Sequence, residues 1–136
     1  MKIRETAQAL LYKKDKTFLL QHRTHDAPYQ PNTWGIFGGG LEGDETPIQA
    51  LKRELWEEIE YKIHSPILIF TTDFVYEERM LVQNIFIEEY DESQPIVLNE
   101  GQGFGWFSVK NMKTLPLSAD LQAMFPKLSE ELVQLS

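Results

Sequence analysis

The chain has 136 residues, a length that predicts a single domain over residues 1–136. Its hydrophobic content of 42% is enough for a packed core, and the absence of cysteine excludes disulfides, thiolate metal sites and a cysteine nucleophile. The formal net charge of −8 argues against a general nucleic-acid binder, which needs a basic surface.

The first forty residues predict β-structure that leads into a glycine-rich turn. Residues 6–12 and 17–21 are apolar runs on either side of the polar turn 13–16, a pattern typical of a hairpin. Two prolines in residues 24–32 predict a loop. A short strand is expected over residues 34–37, and three glycines follow it.

A helix is predicted from Pro47 to about Ile59. Thr46 is a suitable N-cap, Pro47 suits the first turn, and Gln49 completes a capping box. One face of the helix is expected to pack on the core, through Ile48, Leu51, Leu55 and Ile59.

A second face of this helix is acidic. Glu54 lies three and four residues before Glu57 and Glu58, and like charges at these spacings destabilise a helix by roughly 0.2–0.5 kcal/mol per pair. Near the C-terminal end of a helix the macrodipole also favours cations. A solvated acidic face is the usual interpretation, but it leaves this repulsion uncompensated. A bound Mg²⁺ or Mn²⁺ would remove the conflict.

These residues form a pattern that resembles the Nudix hydrolase box, which is Gly, five residues, Glu, seven residues, then Arg-Glu-hydrophobic-x-Glu-Glu-x-Gly-hydrophobic. The chain matches the box at Gly39, Glu45, Arg53, Glu54, Leu55, Glu57 and Glu58. Glu60 stands where the family has glycine, and Tyr61 stands where it has an aliphatic residue. Because glycine is the usual left-handed C-cap, the change at Glu60 puts the exit from the helix in question.

The second half of the chain predicts more strands and a helical C-terminus. Strands are expected at residues 67–74 and 80–88, joined at 76–79, and shorter ones at 96–98 and 105–109. A polar loop is expected at residues 91–94, and one or two short helices interrupted by Pro126 at the end. The resemblance implies the Nudix fold, of the α/β (α+β) class, with a mixed sheet between helices in an α/β/α sandwich.

The resemblance also implies a diphosphate-cleaving site that uses Mg²⁺ or Mn²⁺. It implies metal ligands at the Gly39 carbonyl and at the carboxylates of Glu54, Glu57 and Glu58. Glu45 and Arg53 would form an ion pair that orients the carboxylates, although an exposed residue and an ordinary i,i+4 pair are the plainer interpretations. The metal would lower the pKa of a bound water.

Residues outside the helix complete the expected site. Glu100, in a Glu-Gly-Gln loop, resembles the MutT-type glutamate that helps to bind metal or activate water, and a mobile glycine-rich loop has equal weight. Glu57, Glu58 and Glu100 are therefore the candidates for general base. Substrate contacts are expected from Arg23, Gly38, Gly39 and Gly40.

Other polar and aromatic residues receive plainer interpretations. Arg23 resembles a position that holds substrate phosphate or base, and an exposed strand-end arginine is about as probable. Asp120 resembles a base-reading position, but we favour its being the N-cap of the last helix. Trp106 is expected in the core. The three histidines, His22, His25 and His64, are expected at the surface.

The favoured function is Mg²⁺-dependent hydrolysis of a nucleoside diphosphate derivative, with a (deoxy)nucleoside triphosphate giving the monophosphate and pyrophosphate. The alternative is a Nudix module that binds such a ligand without hydrolysing it. Two other Nudix activities are disfavoured. Isopentenyl diphosphate isomerase needs a catalytic cysteine, which this sequence lacks, and decapping enzymes usually carry a basic surface and extra domains, which the sequence does not predict. We expect a small-molecule nucleotide as partner and no membrane association, since there is neither a bilayer-spanning run nor a secretory signal. A cytoplasmic location is expected, and a homodimer is compatible with the sequence.

Overall fold

The computed structural model describes residues 1–135 and contains seven strands and three helices in that part of the chain. The strands are β1 (Lys2–Tyr12), β2 (Phe18–His22), β3 (Trp34–Gly35), β4 (Phe37–Gly40), β5 (Ile67–Tyr76), β6 (Arg79–Glu89) and β7 (Gly103–Phe107). The helices are α1 (Pro47–Ile59), α2 (Val109–Met112) and α3 (Ala119–Val133).

All seven strands belong to one mixed sheet with β1 near its centre. β1 pairs in parallel with β6 along its whole length, from Lys2 opposite Arg79 to Tyr12 opposite Glu89. On its other side it pairs antiparallel with β4 and, through the predicted hairpin, with β2. β2 continues to β3 and β7, and β5 pairs antiparallel with β6. β1 begins four residues earlier than expected because β6 supplies partners for that end.

Helices cover both faces of the sheet because successive side chains of a strand point to opposite faces. Ala7, Ala9 and Leu11 of β1 belong to the apolar cluster that contains α1. Leu10 belongs instead to the cluster that contains α2 and α3. This arrangement is the α/β/α sandwich expected from the resemblance.

The helix α1 starts and ends where the sequence predicts. Thr46 caps it, and both hydrogen bonds of the capping box with Gln49 are present. Leu51, Leu55 and Ile59 are fully buried, as expected. The prediction for Ile48 is wrong, since 42% of this residue is exposed. It lies in the first turn, and the helical part of the apolar cluster begins only at Ala50.

Glu60 ends α1 in the left-handed conformation that glycine usually takes. Its φ is 51° and its ψ is 39°, and its backbone N–H donates to the carbonyls of Leu55 and Trp56. The side-chain amide of Asn99 donates to the carbonyl of Glu57 and to the carboxylate of Glu60. The helix exit therefore keeps the geometry of the family pattern without its glycine.

Tyr61, the other departure from the pattern, is fully buried. Its hydroxyl donates to the carboxylate of Glu88 at 3.2 Å and accepts from the backbone N–H of Asp91 at 2.9 Å. The backbone N–H groups of His64 and Ser65 donate to the same Glu88 carboxylate. The phenol thus fixes the chain that leaves α1 to the end of β6.

Residues 96–98 do not form the predicted strand. The N–H of Val97 donates to the carbonyl of Ile59 at 3.0 Å, and the N–H of Asn99 donates to the carbonyl of Glu58 at 2.8 Å. The last carbonyls of a helix have no partner within it. The segment is irregular because it supplies donors to the end of α1 instead of joining the sheet.

Two predictions about the C-terminal part are also wrong. β7 ends at Phe107, before the expected Val109, because Ser108 caps α2 and accepts from the N–H of Asn111. Pro126 lies inside α3 and does not interrupt it. An interior proline costs roughly 3 kcal/mol, and this cost is offset by a stripe of buried residues on both sides of it, Leu121, Met124, Leu128 and Leu132.

No helix in residues 1–135 combines the length and the apolar character needed to cross a bilayer.

Candidate active site

A cleft of about 650 Å³ lies across one face of the sheet. Alternate residues of β1 and β6 form its floor, aromatic residues of β5 form one wall, and the glycines of β4 with the C-terminal half of α1 form the opposite wall. The first turn of α3 and the loop at Glu100 complete it. Because the β1 and β6 side chains point into it with a period of two, the cleft follows directly from the strand register.

Arg53 organises the acidic wall. It donates from Nε and Nη2 to the two oxygens of Glu45 at 2.8 and 2.9 Å, and from Nη1 to Glu54 at 2.8 Å. Nη2 also donates to the carbonyl of Gly40 at 3.0 Å. The hydrogen bond from Arg53 lowers the pKa of Glu45 to about 2. The ion pair expected from the sequence is therefore present, and it connects the helix to the glycine turn.

Glu58 is a buried carboxylate at this wall, and Glu54 is a partly buried one. Glu58 is 5% exposed and accepts from the backbone N–H of Gly38 at 2.9 Å. Burial, followed by the nearby charge of Glu100, raises the pKa of Glu58 to about 9. Burial also raises the pKa of Glu54, against the effect of Arg53. The carboxyl groups of Glu54, Glu58 and Glu100 thus lie together without full compensation of their charge.

Charged side chains lie directly against two of the glycines. A Cβ atom at Gly39 would lie 2.5 Å from the carboxyl carbon of Glu54, and a Cβ atom at Gly40 would lie 2.5 Å from Nε of Arg4. No real Cβ atom tolerates such distances without a shift of its neighbour. The glycines therefore let two charged side chains lie directly on the backbone of β4.

The donor set fits a divalent cation, although it is not a complete side-chain cage. Within residues 1–135, no three histidine, aspartate or glutamate side chains are arranged to hold a metal ion by themselves. Glu57 has 56% of its side chain exposed and lies 3.4 Å from Nη1 of Arg53. Hard oxygen donors with vacancies left for water and phosphate are nevertheless what Mg²⁺ prefers. Burial raises the pKa values of Glu54 and Glu58, so a cation beside them would favour their charged forms.

The opposite part of the cleft is aromatic and polar. Tyr29 and Tyr76 meet edge to face with ring centroids 5.1 Å apart, and Phe74 stacks on Tyr76 at 6.3 Å. Arg23 donates from Nε to the carbonyl of Tyr29 at 2.9 Å and lines the cleft. Arg23 thus lies where a substrate contact was expected.

Asp120 lies at the cleft. The prediction that it is the N-cap of α3 is wrong. Ser118 occupies the N-cap position, and Asp120 belongs to the first turn. Gln83 donates from Nε2 to Asp120 and to Gln8, both at 2.8 Å. The Oε1 atom of Gln83 is buried and has no hydrogen-bond partner within residues 1–135. These three side chains give the cleft a fixed polar floor.

Sequence reasoning did not identify several residues of the cleft. On β1 the signal was the period of two along the strand. Arg4, Thr6 and Gln8 occupy alternate positions and continue a face of the strand that is apolar further along. No comparable signal marks the residues of the hairpin and the loop. The missed lining residues are Lys2, Arg4, Thr6, Gln8, Tyr29, Gln30, Phe74, Tyr76, Arg79, Leu81, Gln83, Ser118 and Ala119.

The three histidines do not line the cleft. His22 stacks on Trp34 at 4.3 Å, His25 is exposed, and His64 lies 3.0 Å from Asp91. Trp106 is partly buried against the α1 cluster, and Nζ of Lys13 lies 4.2 Å from the centre of its ring.

Comparisons with known proteins agree with this geometry. The profile of the NUDIX domain family matches residues 2–128. The NAD-capped RNA hydrolase NudC of Chromobacterium violaceum is 26% identical over 113 residues, which are 82% of this chain and 40% of that protein. The chain therefore spans less than half the length of this curated relative.

Solved structures share the fold at low sequence identity. A MutT protein from Methanosarcina mazei Go1 superposes with a TM-score of 0.83 at 21% identity, over 96% of this chain and 95% of that one. The E. coli ORF135 protein gives 0.80 at 23% identity, over 96% and 91%. An Ap4A hydrolase from C. elegans gives 0.75 at 19% identity, over 96% and 98%.

Proposed function

The chain belongs to the NUDIX family of pyrophosphohydrolases, and from this premise we propose that it hydrolyses a nucleoside diphosphate linked to another moiety. The favoured substrate is a (deoxy)nucleoside triphosphate, with the monophosphate and pyrophosphate as products. The observation that carries this proposal is the pair of desolvated carboxyls, Glu54 and Glu58, with the charge of Glu100 beside them, at one end of a cleft of about 650 Å³. Clefts of this size are typical of small-molecule sites.

Mg²⁺ or Mn²⁺ would be held by Glu54, Glu57, Glu58 and Glu100 together with the carbonyl of Gly39. Bound there, the ion would supply Lewis-acid polarisation of phosphate oxygens and a water of lowered pKa. Arg53, fixed by Glu45, keeps the carboxylate of Glu54 in place at 2.8 Å. A carboxylate held in this way needs little reorganisation during the reaction, which is the basis of electrostatic catalysis.

A general base must take the proton of the attacking water. Burial, followed by the nearby charge of Glu100, raises the pKa of Glu58, and both carboxyls are candidates to accept this proton. Glu57, which is more exposed, is the third candidate. The aromatic wall and the polar floor would receive the nucleoside while the acidic wall faces the diphosphate.

The activities of two relatives support a diphosphate linkage as the target. One hydrolyses NAD-capped RNA and the other Ap4A, and both substrates contain phosphate anhydrides. The rest of each substrate differs, so these relatives do not identify the group that is linked to the diphosphate in the substrate of this chain.

We further propose that residues 1–136 form one domain, because both apolar clusters pack on the same sheet. We also propose that the protein acts in the cytoplasm.

The deciding experiment is a screen of nucleoside triphosphates, dinucleoside polyphosphates and nucleotide sugars with Mg²⁺ and with Mn²⁺. We expect metal-dependent turnover and, in ¹⁸O-labelled water, label on a phosphate product and none on the nucleoside. Label on the nucleoside would contradict attack at phosphorus.

The screen also separates the enzyme from a module that only binds nucleotides. Such a module would bind a nucleotide in calorimetry without releasing product. Glu130→Gln, an exposed change on α3, is the matched control and is expected to keep full activity.

A further inference from the structure

The distribution of arginine in this acidic chain is uneven. The sequence contains four arginines, Arg4, Arg23, Arg53 and Arg79. Three of them line the cleft, and Arg53 lies behind its acidic wall. Arginine is the side chain best suited to bidentate contact with phosphate. Because the arginines are concentrated at this site, we expect the cleft to bind an anion through arginine side chains as well as through a metal ion.

The four arginines differ in how far their guanidinium groups are already paired or hydrogen-bonded within the protein. Arg53 is paired with Glu45 and Glu54. Arg23 is anchored through Nε to the carbonyl of Tyr29. Arg79 lies at the far end of β6, close enough to Tyr29 to influence the pKa of its phenol. Only Arg4 borders the acidic wall without taking part in its ion pairs.

Arg4 is held at the wall by contact with the glycine turn. Its guanidinium lies on Gly40, where an added Cβ would come within 2.5 Å of Nε and 2.6 Å of Nη2. The neighbouring position, Gly39, holds the carboxylate of Glu54 in the same manner, and Gly38 donates to Glu58. β4 is therefore contacted by two carboxylates and one guanidinium, with Glu54 and Arg4 approaching Gly39 and Gly40 from opposite sides of the strand.

Arg4 lines the same cleft as these carboxylates and, among residues 1–135, forms no salt bridge. In the described part of the chain, no carboxylate oxygen lies within 4 Å of its guanidinium, and no acceptor is hydrogen-bonded to it. Its charge is consequently available to a ligand. The side chain points into the same cleft as Thr6 and Gln8, which follow it at a spacing of two along β1.

We propose that Arg4 binds a phosphate group of the substrate at the Gly40 end of the acidic wall. This inference rests on the proposed function, and it adds a specificity residue that the Nudix box does not include. Arg4, Gly40 and the acidic wall line the same cleft, so a substrate whose diphosphate met a cation at Glu54 and Glu58 would have its phosphates in the cleft that holds this guanidinium. The phosphate is either part of the diphosphate that is cleaved or the terminal phosphate of a triphosphate.

The test compares Arg4→Gln, which removes the charge, with Arg4→Lys, which keeps the charge and removes the fork. Gly40→Ala is the third variant, because it displaces the guanidinium without changing it. Lys113→Gln is the control, an exposed change at the C-cap of α2, away from the cleft. For each variant we would measure kcat and KM with a nucleoside triphosphate and its diphosphate. Calorimetry of inorganic pyrophosphate with Mg²⁺ gives a readout that needs no turnover.

Arg4→Gln is expected to weaken pyrophosphate binding and to raise KM about ten- to a hundred-fold, as the loss of a charged hydrogen bond predicts. Arg4→Lys should recover part of this loss. Gly40→Ala should resemble Arg4→Gln, and the two changes combined should be little worse than either alone. A loss shared by both nucleotides assigns Arg4 to the cleaved diphosphate, and a loss confined to the triphosphate assigns it to the terminal phosphate.

Unchanged KM and unchanged pyrophosphate binding in Arg4→Gln would overturn the inference and leave Arg4 a surface residue. So would wild-type protein that binds no pyrophosphate. Pyrophosphate binding that depends on Arg4 in a protein without turnover would refute the proposed hydrolysis and retain the subsite. The two proposals can therefore fail separately.

Discussion

The carboxylate of Glu58 combines a functional position with an unfavourable environment. It is 5% exposed, it receives one hydrogen bond from Gly38, and it lies beside Glu54 and Glu100. A carboxylate whose pKa is raised to about 9 by burial lowers the stability of the metal-free fold whenever it is ionised. Groups of this kind are retained where function needs them.

Neutralising this carboxylate should separate stability from activity. Glu58→Gln is expected to lower kcat by at least roughly 10²-fold, because a ligand or base is lost. It should also raise the Tm of the EDTA-treated protein by roughly 3–5 °C, the shift that about 1 kcal/mol produces in a chain of this size. Glu57→Gln, at an exposed side chain, should lower kcat similarly and leave that Tm unchanged.

Steady-state kinetics and thermal melts of the two variants test this prediction, with Glu130→Gln as the control. Near-normal turnover in both would place the chemistry elsewhere. A fall in the Tm of Glu58→Gln would mean that the carboxylate supports the metal-free fold.

The ionisation of Glu45 should make the stability of the fold depend measurably on pH in acid solution. The hydrogen bond from Arg53 lowers its pKa from 4.5 to about 2. A lowered pKa in the folded state contributes stability that is complete above the unfolded value and is lost as the pH falls from about 4.5 toward 2. Glu45→Gln should therefore be less stable than wild type at pH 7, and the difference should shrink by pH 3.

Denaturant midpoints of both proteins at the two pH values provide the measurement. A difference that is the same at pH 7 and pH 3 would show that the ion pair does not contribute through its charge.

Single residues differed in how well the sequence predicted them. The Glu45–Arg53 pair followed from the register of the box, because eight residues separate the partners and the turn brings them together. The burial of Glu58 did not follow, since a helix pattern gives only the angle around its axis. The backbone of Gly38, which covers Glu58, comes from a strand twenty residues earlier.

At the scale of elements, the exit of α1 is the clearest departure from a local rule. A non-glycine residue in the left-handed region costs roughly 1–2 kcal/mol. Glu60 is held there by the hydrogen bond from Asn99 and by the backbone bonds to Leu55 and Trp56. The neighbouring Tyr61 is fixed by its hydroxyl contacts with Glu88 and Asp91.

The cost of this conformation can be isolated by comparing Glu60→Gly with Glu60→Ala. Both variants lose the carboxylate that Asn99 contacts, and only glycine accepts the left-handed conformation freely. We expect the glycine variant to be more stable by roughly 1 kcal/mol. Equal denaturant midpoints would indicate that the helix end rearranges in the alanine variant.

Elements with strong local signals were predicted and those set by tertiary contacts were not. Thr46, Pro47 and Gln49 defined the start of α1 from neighbouring residues alone. The segment at 96–98 looked like a strand because its residues are apolar, but the carbonyls at the end of α1 receive its N–H groups. Pro126 is tolerated because α3 is held against the sheet on both sides of it.

At the scale of the whole molecule, divalent metal should stabilise the fold. Burial disfavours the charged forms of Glu54 and Glu58, and Glu100 places a like charge beside them. Metal that binds only the native state adds about 2.7 kcal/mol at one hundred times its Kd. Thermal melts with millimolar Mg²⁺ or Mn²⁺ should therefore lie above melts with EDTA.

The double variant Glu57→Gln, Glu58→Gln is the matched control for these melts and should lose the metal-dependent shift. An equal shift in the double variant would assign it to another part of the protein. The absence of any shift in the wild type would count against the metal site.

The class of the fold was predictable because one long motif fixes the position of its central helix. The cleft was less predictable, since its lining comes from four strands, two helices and two loops that the sequence separates widely. Arg4 and Gly40 illustrate the difference. Each looks ordinary in the sequence, and their contact depends on the register between β1 and β4.

The parallel pairing of β1 with β6 has a consequence for synthesis on the ribosome. The partner of Lys2 is Arg79, 77 residues further along. At about 5–20 residues per second, β1 leaves the ribosome roughly 4–15 s before that partner has been made. During this interval its apolar face and its backbone donors are uncovered, and such strands are prone to aggregation. Pairing with β4, which is made within the first forty residues, would cover only Thr6 to Ala9 of the strand that later occupies the centre of the sheet.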